Sequence, residues 1–322
     1  MKKLIIQIPC LNEEHTLKEV IENLPRKIDG IDLVEILVID DNSTDDTANV
    51  GRTAGAEHIL TLHQNNGLAR AFSKGLEEAV CLGADVIVNT DGDSQYVGAD
   101  VERLIAKMRE SDADIVVGCR DISSNKDFSM AKKILQVFGS IFVSFLSNIK
   151  VPDTTSGFRA YSKEAALRLT VQSSFTYTLE TLIQARVKGL SVETVPIRVN
   201  EKKRDSRLFS GITEYLSKSA ATIVRVVIAY RPLIVFNSIA LATFGTGFLL
   251  GCRFLYYFFF LSQGEGRVQS LILAALLMII GVQSLLMGLG AYIASKNRLI
   301  TEEVLYLERK RCWTRDSALE AE

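Results

Sequence analysis

Two long apolar runs near the C-terminus set the strongest limit on how this chain can fold. Residues 232–262 are almost wholly apolar, interrupted by Asn237 and Arg253, and residues 268–295 carry no charged side chain. Each run exceeds the roughly 20 residues that a helix needs to cross a bilayer. Buried core helices of a soluble domain would rarely need two adjacent runs of this length. We therefore predict two transmembrane helices joined by a short loop within residues 232–295.

Cationic side chains flank the outer ends of this pair, whereas the connecting loop holds one Glu and one Arg. Positive charges near membrane helices favour the cytoplasmic side. We therefore expect both termini on the cytoplasmic face of the plasma membrane, with residues 209–231 as a juxtamembrane amphipathic helix and residues 296–322 as a cytosolic tail. The flanking cations are Lys218, Arg225, Arg231, Lys296 and Arg298.

The first part of the chain has the pattern of an α/β domain with a mostly parallel central sheet. Short apolar, β-branched runs alternate four times with helical patterns before residue 95. That alternation is typical of a parallel sheet covered on both faces by helices. The predicted strands are residues 4–8, 33–39, 59–62, 86–88, 115–117 and 192–199.

Acidic side chains follow the ends of several of these strands. Asp91 and Asp93 come directly after the strand at residues 86–88, and Asp40 and Asp41 follow the second strand. Ligands of open α/β sheets bind beyond the carboxyl ends of the strands. Two carboxylates close together suit Mg²⁺ or Mn²⁺ together with substrate phosphates. A polar turn that merely closes the strand is the alternative for an isolated Asp-x-Asp.

Charge and cysteine content exclude several classes of protein. The 322 residues carry a formal net charge of −1, so we expect no nucleic-acid partner. The five cysteines are an odd set without Cys-x-x-Cys spacing, which argues against a disulfide framework and a zinc site and favours a reducing, cytosolic environment. The short apolar run before Pro9 is too short for a signal peptide.

Two further segments have more than one interpretation. Residues 129–148 place apolar side chains at helical spacing, which fits either a packed core helix or an interfacial helix at a membrane surface. Residues 201–207 hold four cations, which fits either a solvated face or a clamp for a phosphate.

Five short motifs lie along the chain in a fixed order. They are Pro9-x-x-Asn12-Glu13, Asp40-Asp41-x-Ser43-x-Asp45, Asn65-x-Gly67, Asp91-Gly92-Asp93-x-Gln95 and Asp153-x-x-Ser156-Gly157-Phe158-Arg159. These motifs resemble those of glycosyltransferase family 2. The overall pattern is similar to the polyprenyl-phosphate branch of that family, the dolichyl-phosphate mannose synthase-like enzymes with two C-terminal membrane helices.

The resemblance implies a GT-A nucleotide-sugar-binding domain over residues 1–208 and a role for each motif residue. The metal, Mg²⁺ or Mn²⁺, would be held by Asp91, Asp93 and Gln95. Residues implied in catalysis are Asp153, Asp93 and Arg159. Residues implied in nucleotide-sugar binding are Pro9, Asn12, Glu13, Asp40, Asp41, Gly67, Asp91 and Arg120. Residues implied in phosphate or acceptor binding are Lys203, Arg204 and Arg207, with Arg120 and Arg159 as further phosphate candidates.

One segment departs from the branch. Its usual basic pattern is Arg-x-x-Gly-x-Ser-Lys, whereas this chain carries Arg204-Asp205-Ser206-Arg207 followed by Leu-Phe-Ser-Gly.

The expected activity is inverting transfer of one hexose from a UDP- or GDP-sugar to a polyprenyl phosphate at the cytoplasmic membrane face. The expected partners are the nucleotide sugar, the lipid phosphate and the bilayer. Self-association through the membrane helices is also expected, because small side chains let helices approach closely. These small residues are Gly281, Ser284, Gly288 and Gly290.

Other functions fit less well. A dehydrogenase should show Gly-x-Gly-x-x-Gly after the first strand, where this chain has Pro9-Cys10-Leu11-Asn12-Glu13. A sugar nucleotidyltransferase should begin with a glycine-rich loop and a lysine. A processive polysaccharide synthase, acting on a glycan or glycolipid, usually carries Gln-x-x-Arg-Trp, but the only tryptophan is Trp313 in the tail. A non-catalytic nucleotide-sugar-binding scaffold remains the non-enzyme alternative.

Overall fold

A computed structural model of the chain describes residues 2–120, 151–171, 177–200, 221, 224–225, 227–261 and 268–319. The chain divides into two compact units, Met1–Thr222 with Glu303–Glu322, and Ile223–Glu302. The predicted interfacial helix at 129–148, the first part of the juxtamembrane helix and the three basic residues Lys203, Arg204 and Arg207 lie outside the described residues. The domain boundaries proposed from the sequence therefore stay predictions.

The first unit alternates strands and helices, as its sequence pattern predicts. Its strands are β1 (Lys3–Cys10), β2 (Leu33–Asp40), β3 (His58–Thr61), β4 (Val86–Asn89), β5 (Ile115–Arg120), β6 (Arg159–Ser162) and β7 (Val192–Ile197). Its helices are α1 (Leu17–Glu22), α2 (Thr47–Thr53), α3 (Leu68–Cys81), α4 (Val101–Ser111), α5 (Lys163–Arg168) and α6 (Thr178–Val187), with a 3-10 turn at Gly98–Asp100 before α4.

The strands form one mixed sheet in the order β3-β2-β1-β4-β6-β5-β7. The pairs β1–β2, β1–β4, β2–β3 and β5–β7 are parallel, whereas β6 runs antiparallel to both β4 and β5. The predicted α/β fold with a mostly parallel sheet is confirmed. Strand β6 has no signal in the sequence, because its four residues, which begin with an arginine, show neither an apolar run nor a clear alternation.

Both faces of the sheet are buried, which explains the near-continuous apolar strands. In β1, Leu4, Ile6 and Ile8 pack into one core layer, with side chains of α1 and α4. Ile5 points to the opposite layer, where it joins Phe72 of α3. Side chains alternate between the faces of a strand, so the sheet divides the apolar residues between two cores and leaves its carboxyl edge to polar loops.

The second unit contains α7 (Pro232–Leu261) and the first part of α8 (Val268–Leu319). Both helices are long and apolar enough to cross a membrane, over Pro232–Phe260 and Val268–Arg311. A Cβ built at Gly281 would lie 2.6 Å from the Cβ of Phe244, and one at Gly288 would lie 2.8 Å from that of Phe236. These two glycines are thus used for packing within one chain, and self-association of the helices stays a prediction.

Helix α8 continues well beyond the predicted membrane segment. Residues 296–319 contain neither glycine nor proline and are rich in Leu, Glu, Lys and Arg, which are good helix formers. Nothing in the sequence therefore ends the helix at the membrane surface. Its last turns, from Glu303 onward, belong to the first unit, where Tyr306 is only 5% exposed.

Candidate active site

The loops after β1 and β2 are joined by hydrogen bonds at the carboxyl edge of the sheet. Asn12 has a left-handed backbone (φ 56°), which asparagine tolerates better than most residues. Its side-chain oxygen accepts from the Thr44 N–H at 2.8 Å, and its own N–H donates to the Ser43 hydroxyl at 2.9 Å. The N–H of Glu13 donates to the Thr47 hydroxyl at 2.8 Å. The motif at residues 9–13 and the motif at residues 40–45 are thus held together by hydrogen bonds between their loops.

The doublet Asp40-Asp41 connects this structure to the next loop. Asp40 Oδ1 accepts from the Ser43 N–H at 3.0 Å. The two carboxylate oxygens of Asp41 accept from the N–H groups of Asn66 at 2.9 Å and Gly67 at 2.8 Å. Both aspartates are almost fully buried. Asp41 therefore fixes the loop at the start of α3, and the residues predicted to bind the nucleoside lie in one group of loops, beside the buried Pro9 at the end of β1.

The turn after β4 carries Asp91 and Asp93 and touches the loop after β1. The carbonyl of Gly92 accepts from the Thr16 hydroxyl at 2.7 Å, and the same hydroxyl also donates to Glu13 Oε2 at 2.9 Å. A Cβ at Gly92 would lie 3.0 Å from the sulfur of Cys10. Glycine between the two aspartates therefore permits the close approach of the two loops.

Arg120, at the end of β5, joins three parts of the site. Its Nε donates to Asp153 Oδ2 at 2.7 Å and its Nη2 to Asp153 Oδ1 at 3.1 Å. Nη2 also donates to the Thr155 hydroxyl at 3.0 Å, and Nη1 donates to Gln95 Oε1 at 3.3 Å. The structure thus brings together Gln95, Arg120 and Asp153, which lie far apart in the sequence.

The backbone of Gly157 lies close to the carboxylate of Asp91. Its N–H donates to the Tyr96 hydroxyl at 3.1 Å, and its carbonyl accepts from Asn89 Nδ2 at 2.9 Å. A Cβ at Gly157 would lie 2.7 Å from the Tyr177 hydroxyl and 3.0 Å from Asp91 Oδ1. The glycine of the Ser-Gly-Phe-Arg motif therefore leaves room for the carboxylate that follows β4.

The side chain of Arg159 is enclosed within the protein. It is fully buried, and its guanidinium donates to three backbone carbonyls and to the Thr181 hydroxyl. The sequence-based expectation that Arg159 contacts a phosphate directly does not fit this arrangement, because its side chain is 0% exposed. A role of Arg159 in catalysis stays a prediction.

The carboxylates of the site have opposite electrostatic environments. Loss of water around Asp91 and the neighbouring charge of Asp93 raise the pKa of the Asp91 carboxyl to about 7, against the opposing effect of Arg120. Burial raises the pKa of Asp153 as well, but the hydrogen bonds and charge of Arg120 outweigh burial, and the net pKa is lowered. The charged form of Asp91 is therefore disfavoured by burial and by Asp93, whereas the charge of Asp153 is compensated by Arg120.

Several residues of the site were missed from the sequence. Thr155 completes the contacts of Arg120, and Asn89 joins Gly157 to the Tyr177 hydroxyl and to Gln7. Asn89 and Gln7 carry a signal that could have found them, since both are polar side chains within apolar strands and such groups must find partners when buried.

The fold and the carboxylates at its strand ends define a GT-A-like α/β domain, a likeness shared with solved structures. Crystal structures of glucosyl-3-phosphoglycerate synthase from Mycobacterium tuberculosis superpose with TM-scores of 0.54, for a complex with Mn²⁺, UDP and glucosyl-3-phosphoglycerate, and 0.55, for a complex with phosphoglyceric acid. Both are 18% identical in sequence and cover 70% of this chain and 79% of theirs. At that identity the likeness concerns the fold.

The chain belongs to the family described as glycosyl transferase family 2, which matches residues 5–170. It is a glycosyltransferase. The resemblance drawn from the five motifs is thereby confirmed.

This chain matches most of the length of several named relatives. UDP-N-acetylglucosamine–dolichyl-phosphate N-acetylglucosaminyltransferase of Methanococcus voltae is 30% identical over 219 residues, which are 61% of this chain and 85% of the relative. Undecaprenyl-phosphate mannosyltransferase of Micrococcus luteus is 26% identical, over 65% of this chain and 88% of the relative. Polyprenol monophosphomannose synthase of Mycolicibacterium smegmatis is 24% identical, over 65% and 82%.

Proposed function

We propose that this glycosyltransferase moves one hexose from a nucleotide-diphosphate sugar to a polyprenyl phosphate at the cytoplasmic face of a membrane. The observation that carries the proposal is a carboxylate pair beside Arg120 on a chain that also holds two helices of bilayer length. The carboxylate pair and the arginine suit a soluble nucleotide-diphosphate sugar, and the two apolar helices suit a lipid acceptor held in a membrane. Of the relatives named above, two are by name transferases acting on dolichyl phosphate or undecaprenyl phosphate and one is a polyprenol monophosphomannose synthase, which supports this acceptor class.

The residues after β4 fit a hard divalent cation. Among the described residues, no group of three or more His, Cys, Asp or Glu side chains would hold a metal by itself. Mg²⁺ and similar ions commonly take one or two carboxylates and complete their shell with water and substrate phosphates. Asp91 and Asp93, with Gln95 two residues further, offer such an incomplete set. Burial and, after it, the neighbouring charge of Asp93 raise the pKa of Asp91, and a cation bound there would compensate the charge of both carboxylates. When bound, Mg²⁺ or Mn²⁺ would stabilise charge on the departing diphosphate.

Arg120 supplies a second positive charge to the site. Its side chain is 10% exposed, and its guanidinium donates both to Asp153 and to Gln95 Oε1. Burial lowers the pKa of Arg120, but Tyr96, Asp153 and Asp91 outweigh burial and raise it, so the side chain stays charged. A fixed cation beside the carboxylate pair stabilises the negative charge that develops when the bond from sugar to diphosphate breaks.

Asp153 acts on Arg120 rather than as a base. It is fully buried, and each of its oxygens accepts at least one hydrogen bond from Arg120 or Thr155. The acceptor needs little help, because a phosphate monoester with a second pKa of about 6 is largely a dianion near pH 7. In the direct in-line displacement we propose, a phosphate oxygen bonds to the anomeric carbon as the diphosphate leaves. The configuration inverts and no proton moves.

The test uses the full-length protein in detergent with Mn²⁺ and radiolabelled UDP- and GDP-sugars, each with and without undecaprenyl phosphate. We expect label from one donor to enter the organic phase only when the lipid phosphate is present. Asp93→Ala should abolish the transfer, whereas Asp29→Ala, at a side chain that is 96% exposed, should retain it.

Other outcomes would overturn the proposal. Water-soluble or polymeric product would point to a glycan acceptor, as in polysaccharide synthases. Nucleotide binding without any transfer or hydrolysis would point to a scaffold. The active donor would identify the base and the sugar together.

A further inference from the structure

Arg159 is the most deeply buried cationic side chain among the described residues of the first unit. It contacts the turn at residues 153–156. The side chain is 0% exposed. Its Nε donates to the carbonyl of Ser156 at 2.8 Å and its Nη2 to that of Thr154 at 2.8 Å. Its Nη1 donates to the carbonyl of Thr178 and to the Thr181 hydroxyl, both at 2.9 Å. The guanidinium therefore joins the turn at residues 153–156 to the first turn of α6.

The same turn holds Arg120 from its other side. Asp153 pairs with Arg120 through both carboxylate oxygens, and the Thr155 hydroxyl accepts from Arg120 Nη2. Thr155 also donates from its hydroxyl to Asp153 Oδ1 at 2.9 Å. The carbonyls of Thr154 and Ser156, which Arg159 binds, alternate along the chain with the side chains of Asp153 and Thr155, which bind Arg120. One arginine lies beneath the turn and the other lies at the site.

We propose that Arg159 is a positioning residue whose buried guanidinium fixes the 153–156 turn and thereby directs Arg120 toward the leaving diphosphate. This inference rests on the proposed function, since it assigns Arg159 an effect on the same transfer.

The geometry explains why an arginine is needed there. Four acceptors surround the side chain, and they lie on two separate segments of the chain. A planar guanidinium presents five donors in a fixed fork, whereas a lysine carries three donors on a single nitrogen. Arg159→Lys keeps the positive charge but offers fewer donors to these four acceptors, so the turn relaxes and Arg120 loses its alignment.

A double-mutant cycle separates this role from general support of the fold. We expect Arg159→Lys to lower kcat by about tenfold or more, because displacements of about 1 Å can cost as much as 10²-fold. In an Arg120→Lys background the same substitution should change kcat by less than about twofold. Arg109→Lys, at an exposed ion pair with Asp29, is the matched control and should leave kcat unchanged.

Thr181→Val provides a second variant if Arg159→Lys does not fold. It removes one of the four acceptors and should lower kcat modestly in the wild-type background but not in the Arg120→Lys background. Equal losses in both backgrounds, for either variant, would overturn the inference and leave the proposed function intact. A wild-type protein that transfers no sugar would overturn the proposed function, and the inference with it.

Discussion

At the scale of single residues, Gly157 shows how closely the site is packed. The Tyr177 hydroxyl, which a Cβ at Gly157 would approach to 2.7 Å, belongs to a ring that is stacked on Phe72 with centroids 3.8 Å apart. Tyr177 is 1% exposed and cannot easily move away. The other close neighbour is the carboxylate of Asp91, a residue that is only partly buried. A side chain at position 157 must therefore displace the carboxylate.

We predict that Gly157→Ala weakens Mn²⁺ binding in the presence of UDP or GDP by about 10- to 100-fold, the usual effect of disturbing groups that orient a metal ligand. Isothermal titration of the detergent-solubilised protein measures it. Gly83→Ala is the control, because Gly83 also disfavours a side chain (φ 82°) but has open space around it. Equal Mn²⁺ affinity of Gly157→Ala and the wild type would contradict the conclusion that Gly157 leaves room for the Asp91 carboxylate.

Asp100 is a buried carboxylate with a structural task. It is 0% exposed and accepts from the Arg198 N–H and from Arg198 Nη2, both at 2.7 Å. Burial raises the pKa of Asp100, but the hydrogen bonds from Arg198 outweigh burial, and the net pKa is lowered. A carboxyl whose pKa is lower in the folded state stabilises that state above its unfolded pKa of about 3.9. The stabilisation disappears as the pH falls through the lowered folded value.

We predict that Asp100→Asn lowers the free energy of unfolding by about 1–3 kcal/mol at pH 7, the cost of losing charged hydrogen bonds in a buried position. The difference from the wild type should shrink as the pH falls below about 4, since the wild-type carboxyl is then protonated too. Thermal unfolding in detergent at pH 7 and pH 3 measures this, with Asp29→Asn as the exposed control. A difference independent of pH would contradict the assignment.

At the scale of elements, the last turns of α8 pack on the first unit through one aromatic side chain. The Tyr306 hydroxyl donates to Glu164 Oε1 of α5 at 2.9 Å, and Arg168 lies 4.7 Å from the centre of its ring. Arg309 Nη2 donates to Glu77 Oε1 of α3 at 2.6 Å. The segment at residues 296–322, expected from the sequence to be a cytosolic tail, thus contributes a side chain to the core of the first unit.

Tyr306→Ala should destabilise the first unit by about 3 kcal/mol, as expected for removing a buried aromatic ring. Tyr306→Phe keeps the ring and should cost about 1 kcal/mol, the value of one hydrogen bond. Leu307→Ala, at a neighbouring side chain that is 47% exposed, serves as the control. Thermal unfolding midpoints compare the three variants, and equal midpoints for Tyr306→Ala and Leu307→Ala would contradict this packing.

The sequence predicts the positions of some strands but not of others. The parallel strands β1, β2 and β4 are buried on both faces, so their apolar runs predicted them. The antiparallel β6 is short and begins with Arg159, whose polar group is buried only because Thr154, Ser156 and Thr178 direct their carbonyls toward it. Its position depends on partners distant in the sequence, which no local pattern contains.

At the scale of the whole molecule, the proposed cytoplasmic location of both termini can be tested directly. Arg225 and Arg231 precede the first predicted membrane helix and Lys296 and Arg298 follow the apolar run of the second, whereas the connection predicted at residues 262–267 carries one acid and one base. Cytoplasmic loops are enriched in Lys and Arg. In a bacterial host, alkaline phosphatase inserted in the loop should be active, and phosphatase fused to the C-terminus should be inactive. The reverse pattern would contradict the proposed orientation.

The sequence by itself determined the class of the molecule. Apolar length predicts two membrane helices, alternating strands and helices predict the sheet, and the motifs from Pro9 to Arg159 identify the family. These are local or repeated signals, and each is readable without knowledge of the fold. The roles of individual site residues required the tertiary structure. Asp153 and Arg159 are charged residues of the same sequence motif, but only the folded contacts show that Asp153 pairs with Arg120 while Arg159 lies buried beneath the turn. The reason is that burial and hydrogen-bond partners arise from residues far apart in the chain.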